Sequence, residues 1–436
     1  MDCDVAIIGA GVSGLAATAE LKCAGKDVVC LEASGRVGGR VFTMHDSPAQ
    51  VPVELGAEFV HGCPPEIWDL IRAANLTAYE HTVGARYLDR GRVLKENEVG
   101  EFADRVLSNS GKSSKRKDES FEDRLNRSRA RPDVKNWAGV YIEGFNAARK
   151  ESISVKALTE DSEAADKIEG DRLFRIFDGY DSIPISLLRS IPDYQSTLQM
   201  NSVVERVHWR RGRVEVRYRR RFDNRPATLH CRKLVVTVSL GVLQSVAPNP
   251  GAIQFDPEPA GILKAARSLR LGQVYRVTFR FPSAFWEEDE KLKQAGFLIS
   301  RDKRFFTWWT THPVISPLLT GWMAGSAAEQ FQATDRDQIA VEALHSLARI
   351  LNRKVPEPEA YYLHDWRADP FFRGAYSYVP VNALPAREAL GTPVEDTLFF
   401  AGEAADSQGH SGTVHGAIAS GKKAANEILK IRRKGG

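Results

Sequence analysis

Short apolar runs alternate with glycine-rich and polar stretches over the first forty residues of the chain. Residues 4–8 form an apolar run typical of a buried strand, and residues 15–22 have the composition of a helix that Gly25 stops. Residues 27–31 form a second apolar run that ends on Glu32. The pattern therefore predicts a strand, a tight turn, a helix and a second strand in direct succession.

The predicted turn carries the spacing G-x-G-x-x-G over residues 9–14, with Ser13 inside it. Gly9 permits the tight turn, Gly11 lets backbone N–H groups approach a pyrophosphate, and Gly14 lets helix and strand pack closely. The helix N-terminus adds partial positive charge, and Glu32 is placed to accept hydrogen bonds from ribose hydroxyls. Because the flanking strands are present, the pattern predicts a dinucleotide site rather than a merely structural glycine-rich turn.

The rest of the pattern indicates a chain that leaves this first domain and returns to it. Residues 137–164 are predicted to be helical and to belong to an inserted second domain. Residues 203–209, 213–221 and 229–238 predict three strands separated by turns, and residues 397–403 predict a late buried strand that ends in Gly-Glu.

Composition excludes several classes of protein. The chain has 436 residues, 43% hydrophobic and 27% charged, which indicates a globular protein of two or three domains. A net charge of +4 is too close to neutrality to indicate nucleic acid or an anionic membrane as partner. The five cysteines are scattered and lack metal-ligand spacing, so we expect reduced thiols, no metal site and a cytoplasmic location. We also expect no signal peptide and no membrane span.

A charged stretch at residues 112–131 mixes basic and acidic side chains with few apolar ones. This composition favours a solvated helix or loop, and a docking surface for an anionic partner is the alternative. The tryptophans Trp308, Trp309 and Trp322 form a cluster that either lines a substrate cavity or belongs to an ordinary core.

A second glycine cluster, GRVGGR at residues 35–40, directly follows the second strand. Arg36, Gly39 and Arg40 would bring guanidinium groups and free backbone amides near the same diphosphate, unless the segment is a plain surface loop. Together with the fingerprint, this pairing resembles the FAD-binding start of the flavin amine oxidases. The resemblance favours FAD over NAD as the cofactor.

Four later segments resemble the same family in the same order. Residues 53–62 resemble its second FAD segment, residues 233–243 its V-x-x-T-V-P-L-G-V-L stretch with Ser239 in place of proline, and residues 366–378 its W-x-x-D-P stretch. Residues 410–417 open a last helix, capped by Ser411 or Thr413, whose N-terminus would face the flavin. The resemblance adds to the cofactor-binding set, beyond the fingerprint residues above, the following: Leu55, Gly56, Ala57, Glu58, Val204, Trp366, Gly402, Glu403, Thr413 and Val414.

The resemblance also implies a substrate side made of Arg276, His61, Trp366 and Thr413. His61 stands where relatives carry a substrate-facing His or Glu, although a lone histidine is also often structural. Where relatives often place a tyrosine against the substrate, this chain has His410 or Thr413.

Arg276 is the largest departure, because the family carries there a lysine that holds a water against the flavin. Arginine stays charged and needs more room, so it could orient a water, bind a substrate carboxylate, impair the reaction with oxygen, or simply be an outward strand residue. No cysteine follows Cys231, so we expect FAD to be bound non-covalently.

The expected fold is α/β: a glutathione-reductase-type FAD-binding domain (residues 1–85, 196–268 and 376–436) with an inserted mixed α+β substrate domain (residues 86–195 and 269–375). The implied activity is oxidation of a polyamine or monoamine by hydride transfer to the flavin, with hydrolysis of the imine to an aldehyde and reoxidation by O2 to give H2O2.

Two alternatives to this activity stay open. The first is an L-amino-acid oxidase or related desaturase that uses Arg276, and the second is an FAD-holding protein without catalysis. Histone demethylation is disfavoured, because the chain lacks chromatin-reading domains and a long helical insertion. We expect a monomer or homodimer, with Glu58 and His61 available for a second amino group.

Overall fold

The computed structural model describes residues 1–49, 51–81, 84–94, 117–332 and 335–431. Eight of the described strands form one sheet, and its central strand, Cys3–Ile8, runs parallel to both of its neighbours. A parallel strand at the centre of a sheet is covered on both faces, which is why it reads as a continuous apolar run. In spatial order the sheet consists of Leu198–Gln199, Val28–Leu31, Cys3–Ile8, Pro226–Val236, Arg213–Arg220, Ser202–Arg210 and Gln254–Asp256, with Leu398–Phe400 also paired to Pro226–Val236.

The two faces of the central strand contribute to two different cores. Val5 and Ile7 pack with the helix Val12–Cys23 on one face, whereas Ala6 and Ile8 pack on the other with residues of the antiparallel strands. This alternation follows from the period of two in a strand. The last helix, Val414–Ile431, lies against the helix Val12–Cys23 and completes the first of these cores.

A second sheet of seven described strands is mostly antiparallel and forms the other half of the molecule. Its order is Ala360–Tyr362, Val274–Arg280, Leu318–Ala324, Thr307–Trp309, Phe297–Ser300, Ala85–Asp89 and Arg92–Val93. The helix Arg336–Leu351 contributes to the core behind this sheet. Trp308 and Trp309 are neighbours in one strand and therefore point to opposite faces. Trp308 stacks on Phe279 in that core, whereas Trp309 faces Glu58.

The remaining elements are short. The other helices are Pro65–Ala73, Phe121–Arg127, Pro132–Asn146, Val155–Asp166, Ser182–Arg189, Tyr194–Thr197, Leu240–Leu243, Ala260–Ser268, Ser326–Gln330 and Pro385–Leu390, with 3-10 turns at Ser47–Ala49 and Glu403–Ala405. The small strand pairings join Thr43–Met44 to Val53–Glu54, Arg270–Leu271 to Ser377–Tyr378, and Val60–His61 and Ala78–Glu80 to Leu173–Ile176.

Several predicted elements differ from the structure in their bounds. Residues 53–62 were expected to form a short strand broken by Gly56 and Gly62, and they form two strands, separated by an irregular segment in which Gly56 packs against the carbonyl of Arg40. The helical region 137–164 consists of two helices. The charged stretch lies partly outside the described residues, and its described part contains the helix Phe121–Arg127.

The proposed division into two domains remains a prediction. The strands of the eight-stranded sheet all come from the three segments assigned to the FAD-binding domain. The three-stranded sheet, however, joins Val60–His61 to Leu173–Ile176 across a predicted boundary.

Candidate active site

A cavity of about 550 Å³ runs from the glycine-rich turn to the face of the second sheet. It brings together nearly all of the site residues expected from the sequence, although they come from segments far apart in the chain. Gly14 and Arg36 are outside its lining. The expected residues that line it are Gly9, Gly11, Ser13, Glu32, Gly39, Arg40, Leu55, Gly56, Ala57, Glu58, His61, Val204, Arg276, Trp366, Gly402, Glu403, Thr413 and Val414.

The glycine-rich turn has the geometry of a phosphate-binding turn. Gly9 has a φ of +102°, which favours glycine. A Cβ on Gly14 would collide with the carbonyl of Gly9, which fits the close helix–strand packing expected of this glycine. Beside Gly11, the Ser13 hydroxyl is buried and has no hydrogen-bond partner within the described part of the chain. An unsatisfied buried hydroxyl at a helix N-terminus fits a phosphate oxygen as its missing partner.

Glu32 ends the second strand and is held rigidly by local donors. Its Oε2 accepts from the Ala10 amide at 2.6 Å, and its Oε1 accepts from the Ser34 amide at 2.8 Å and hydroxyl at 2.7 Å. The carboxylate retains lone pairs and lines the cavity, which fits the ribose role expected from its position.

Arg36 lies beside the cavity without lining it, and its expected place near the diphosphate stays a prediction. Its guanidinium lies 4.0 Å from the centre of the Phe42 ring and donates to the carbonyls of Val37 and Val41. Arg40 does line the cavity, and its Nη1 donates to Glu403 Oε1 at 2.8 Å. Of the two arginines in the second glycine cluster, Arg40 lines the cavity and Arg36 packs on Phe42.

Two features shape the middle of the cavity. The buried Trp366 donates its Nε1–H to the Leu55 carbonyl at 2.8 Å, and Gly56 is held close to the ring. On another wall the last helix begins at Val414, and the Thr413 hydroxyl accepts from the Gly416 amide at 3.0 Å. The helix is thus capped as the sequence predicts, with its N-terminus at the cavity.

The side chain of Arg276 is buried within a cluster of charged groups and does not point outward to solvent. Its Nη1 donates to the Gly56 carbonyl at 2.6 Å and its Nη2 to Glu58 Oε2 at 2.5 Å. Glu58 also accepts from Arg175 at 2.6 Å and from the Trp309 indole at 2.8 Å. The Nε of Arg276 has no partner within the described residues, and the residue lines the cavity.

The electrostatics of this cluster favour an excess of positive charge. Burial raises the pKa of the Glu58 carboxyl, but the attraction of Arg175 and Arg276 outweighs burial, so its pKa lies below the ordinary value. Burial lowers the pKa of Arg276, yet an arginine stays protonated at neutral pH. Nearby Glu54 is buried, and burial raises its pKa to about 7 despite hydrogen bonds from Thr43 and Tyr180. Two positive guanidinium charges therefore face one full negative carboxylate charge, and a net positive charge remains in the cluster.

His61 lies in aromatic surroundings, with no charge beside it among the described residues. Its ring is 5.8 Å from that of Phe145 and 6.5 Å from that of Phe59, and burial lowers its pKa to about 4. The imidazole is therefore neutral at neutral pH.

Sequence reasoning missed Arg175 and the pairing role of Trp309. Arg175 lies in the short strand Leu173–Ile176, where a charged residue stands among apolar ones. A buried arginine in such a run needs a carboxylate partner, and this signal was available in the sequence.

Comparison with known proteins identifies the family. The model of the flavin containing amine oxidoreductases matches residues 12–429. The chain belongs to this family. The family, the fold class and FAD as cofactor expected from the sequence are thereby confirmed.

Individual relatives fall into two groups. A lysine-specific histone demethylase 1 homolog 2 of Oryza sativa subsp. japonica is 30% identical over 98% of this chain and 57% of its own length. A polyamine oxidase 4 of the same plant is 28% identical over 98% of this chain and 88% of its own length. The chain thus spans little more than half of the demethylase relative.

Solved structures show the same fold. A putrescine oxidase variant superposes with a TM-score of 0.82 at 22% identity, covering 98% of this chain and 99% of the other. Cyclohexylamine oxidase from Brevibacterium oxydans IH-35A also gives 0.82 at 22% identity, over 99% and 100% of the two chains.

The described residues also bear on the expectations for a membrane span, the cysteines and a metal site. No helix among them combines the length and apolar character needed to cross a bilayer. All five cysteines are described, and each is a free thiol. The described ranges contain no group of three His, Cys, Asp or Glu side chains arranged to hold a metal.

Proposed function

We propose that the protein is an FAD-dependent oxidase that cleaves a C–N bond of an amine. The observation that supports this proposal most directly is the single cavity, which joins a phosphate-binding turn to an aromatic chamber at Arg276. One end has the donors that a dinucleotide needs, and the other is enclosed by rings and has one unsatisfied guanidinium N–H.

The residues present fit FAD. Ser13 and the amides of the turn would hold the diphosphate, Glu32 the ribose and Val204 the adenine, while Trp366 and the backbone from Leu55 onward would border the ring system. When bound, FAD supplies the hydride acceptor and passes electrons to O2, giving H2O2. With no cysteine beyond Cys231, we propose that FAD is bound non-covalently and is released when the protein is denatured.

The chain's own contribution is to orient the amine and to control its charge. The positive excess of Arg175 and Arg276 over Glu58 disfavours an ammonium nearby and so favours the neutral amine, the form that can be oxidised. The neutral His61 and the surrounding rings exclude water from the chamber. The Arg276 Nε–H is buried without a partner among the described residues, and it would donate to a water or substrate atom placed against it.

The carboxylate-binding alternative is weakened by the ion cluster. Both terminal nitrogens of Arg276 already donate, one of them to Glu58. A substrate carboxylate would meet the negative charge of Glu58 beside the same guanidinium and would compete with it. We therefore place an amine ahead of an amino acid as substrate.

Anaerobic titration of the purified protein tests the proposal. Amines and amino acids are added separately, and loss of the visible band of oxidised flavin is followed. We expect bleaching by amines, and a large loss of bleaching rate in Arg276→Met. Phe222→Ala, which alters a fully solvent-facing side chain, is the control and should match the parent. Dithionite bleaching without any amine bleaching would contradict the proposal.

Removal of methyl groups from lysine is a second candidate, favoured by the 30% identity to a histone demethylase homolog. A methylated lysine side chain is also an amine oxidised at the carbon next to nitrogen. Adding a dimethyl-lysine peptide to the titration distinguishes lysine demethylation from oxidation of a small amine. Bleaching by the peptide alone would move the assignment to this candidate.

A further inference from the structure

An unbroken series of rings leads from Arg276 to the surface, and we call it the ring chain. The guanidinium carbon of Arg276 lies 5.4 Å from the Trp309 ring. Consecutive ring centres along the series are between 5.7 and 6.5 Å apart, which is ordinary aromatic contact. In order, the ring chain is Trp322, Trp309, Phe59, His61, Phe145 and Tyr141, and all six line the cavity.

The outer end of the ring chain is accessible. Tyr141 and Phe145 lie one turn apart on the helix Pro132–Asn146 and stack with an interplanar angle of 8°. They are 50% and 54% exposed, although large apolar side chains are usually buried. Exposed rings that continue into a cavity are typical of a surface that receives an apolar ligand.

The carboxylates of the cavity are all engaged, among the residues that the structure describes. Asp161 is held by both terminal nitrogens of Arg387, at 2.7 and 2.8 Å, and Glu403 is paired with Arg40. Glu58 serves two arginines, and Glu32 lies at the dinucleotide end. The acidic lining residues are Glu32, Glu58, Asp161 and Glu403.

These observations bear on a second charge in the substrate. An ammonium far from the reacting end would lose its hydration and meet neither a free carboxylate nor a charged His61. The expectation that Glu58 and His61 recognise a second amino group is therefore not supported by their surroundings.

We propose that the ring chain binds the apolar body of a monoamine and discriminates against substrates with a second ammonium. This inference rests on the proposed function, since it concerns which amine is oxidised. An aromatic or alkyl body would lie along the rings, with the amino group at the Trp309 end.

Three ligands with the same number of carbon atoms test the inference: hexylamine, hexamethylenediamine and ε-aminocaproate, which end in a methyl group, an ammonium and a carboxylate. Flavin reduction is followed anaerobically, and binding is measured separately by quenching of tryptophan fluorescence. We expect hexylamine to bind at least roughly tenfold more tightly than hexamethylenediamine, because burial of an unpaired charge is costly. We also expect hexylamine to reduce the flavin faster than hexamethylenediamine does.

A matched pair of variants locates the effect. Phe145→Ala should weaken hexylamine binding by roughly fivefold to tenfold, while the limiting rate of reduction changes little. Phe177→Ala removes a ring of similar exposure (49%) that is outside the cavity lining, and should leave binding unchanged.

The outcomes separate the two proposals. If hexamethylenediamine binds and reduces as well as hexylamine, the inference is wrong while amine oxidation stands. If ε-aminocaproate is preferred, the inference is also wrong, because the cavity then binds a carboxylate at the far end of the substrate. If no amine of the wider panel reduces the flavin, the proposed function fails, and equal fluorescence affinities for all three ligands would reject the ring chain independently.

Discussion

Neutralising Glu58 should destabilise the protein more than any other single loss of charge at the cavity. Glu58→Gln keeps the size of the side chain and still allows the Trp309 indole to donate to an oxygen. Within the described part of the chain, it removes the only charge that compensates Arg175 and Arg276 in direct contact, and all three side chains are buried. The variant thus leaves two buried guanidinium groups beside each other without a shared anion.

The size of the effect follows from known behaviour of buried ion pairs. Removing one partner of a buried pair costs about 3–5 kcal/mol, because the other charge stays desolvated. Total stabilities of domains are commonly about 5–15 kcal/mol, so the variant should fold but unfold at clearly lower denaturant. Arg175→Met in the Glu58→Gln background removes one of the two uncompensated charges and should restore about half of the loss.

Urea unfolding followed by circular dichroism and flavin fluorescence measures these differences. Glu80→Gln is the matched control, because Glu80 pairs with Arg172 at 2.9 Å on the exposed surface, where screening makes such pairs weak. A Glu58→Gln midpoint equal to that of the control would refute the buried ion cluster. So would strict additivity of the Glu58→Gln and Arg175→Met effects.

Three further predictions concern other parts of the cavity. Gly14→Ala should abolish FAD uptake, or folding altogether, because a Cβ at this position collides with the Gly9 carbonyl. Flavin content after purification measures this effect. Gly261→Ala is the control, because a Cβ on Gly261 would meet open space. Thr413→Ala should cost about 1 kcal/mol in urea unfolding through loss of the cap on the last helix, and Thr413→Ser should recover most of it. Burial raises the pKa of the Glu54 carboxyl to about 7, so this group keeps its proton to higher pH in the folded state than in the unfolded state. The stability that the protonated carboxyl contributes is therefore present below pH 4.5 and is lost as pH rises through about 7. Glu54→Gln should reduce the difference between the urea midpoints at about pH 5 and about pH 8, compared with the parent.

The parts of the site that depend on local spacing could be predicted from the sequence. The turn at Gly9 and the role of Gly14 follow from contacts between residues a few positions apart, and the flanking strands fix their context. The cap at Thr413 is local in the same way. The interruption of residues 53–62 at Gly56 is also local, since glycine is rare within strands, and the structure divides the segment there.

The parts that depend on distant contacts could not be predicted. Arg36 has the same local signature as Arg40, yet Arg36 packs on Phe42 whereas Arg40 lines the cavity, and the local pattern does not distinguish the two. Arg175 is paired with Glu58 although the two lie in separate segments, and nothing in either segment specifies the other. Such pairs are set by how the segments assemble, which composition and periodicity do not encode.

Arg276 is better understood together with Glu58 than as a lone departure from a lysine. A guanidinium can donate from two terminal nitrogens at once, and here it joins the Gly56 carbonyl to the Glu58 carboxylate. A lysine ammonium is a point charge on a flexible stem and would not span both acceptors with the same geometry. Arg276→Lys should therefore reduce the flavin more slowly than the parent despite matching the family, because the cluster around Glu58 is built for an arginine. Faster reduction in Arg276→Lys would instead show that arginine impairs this site.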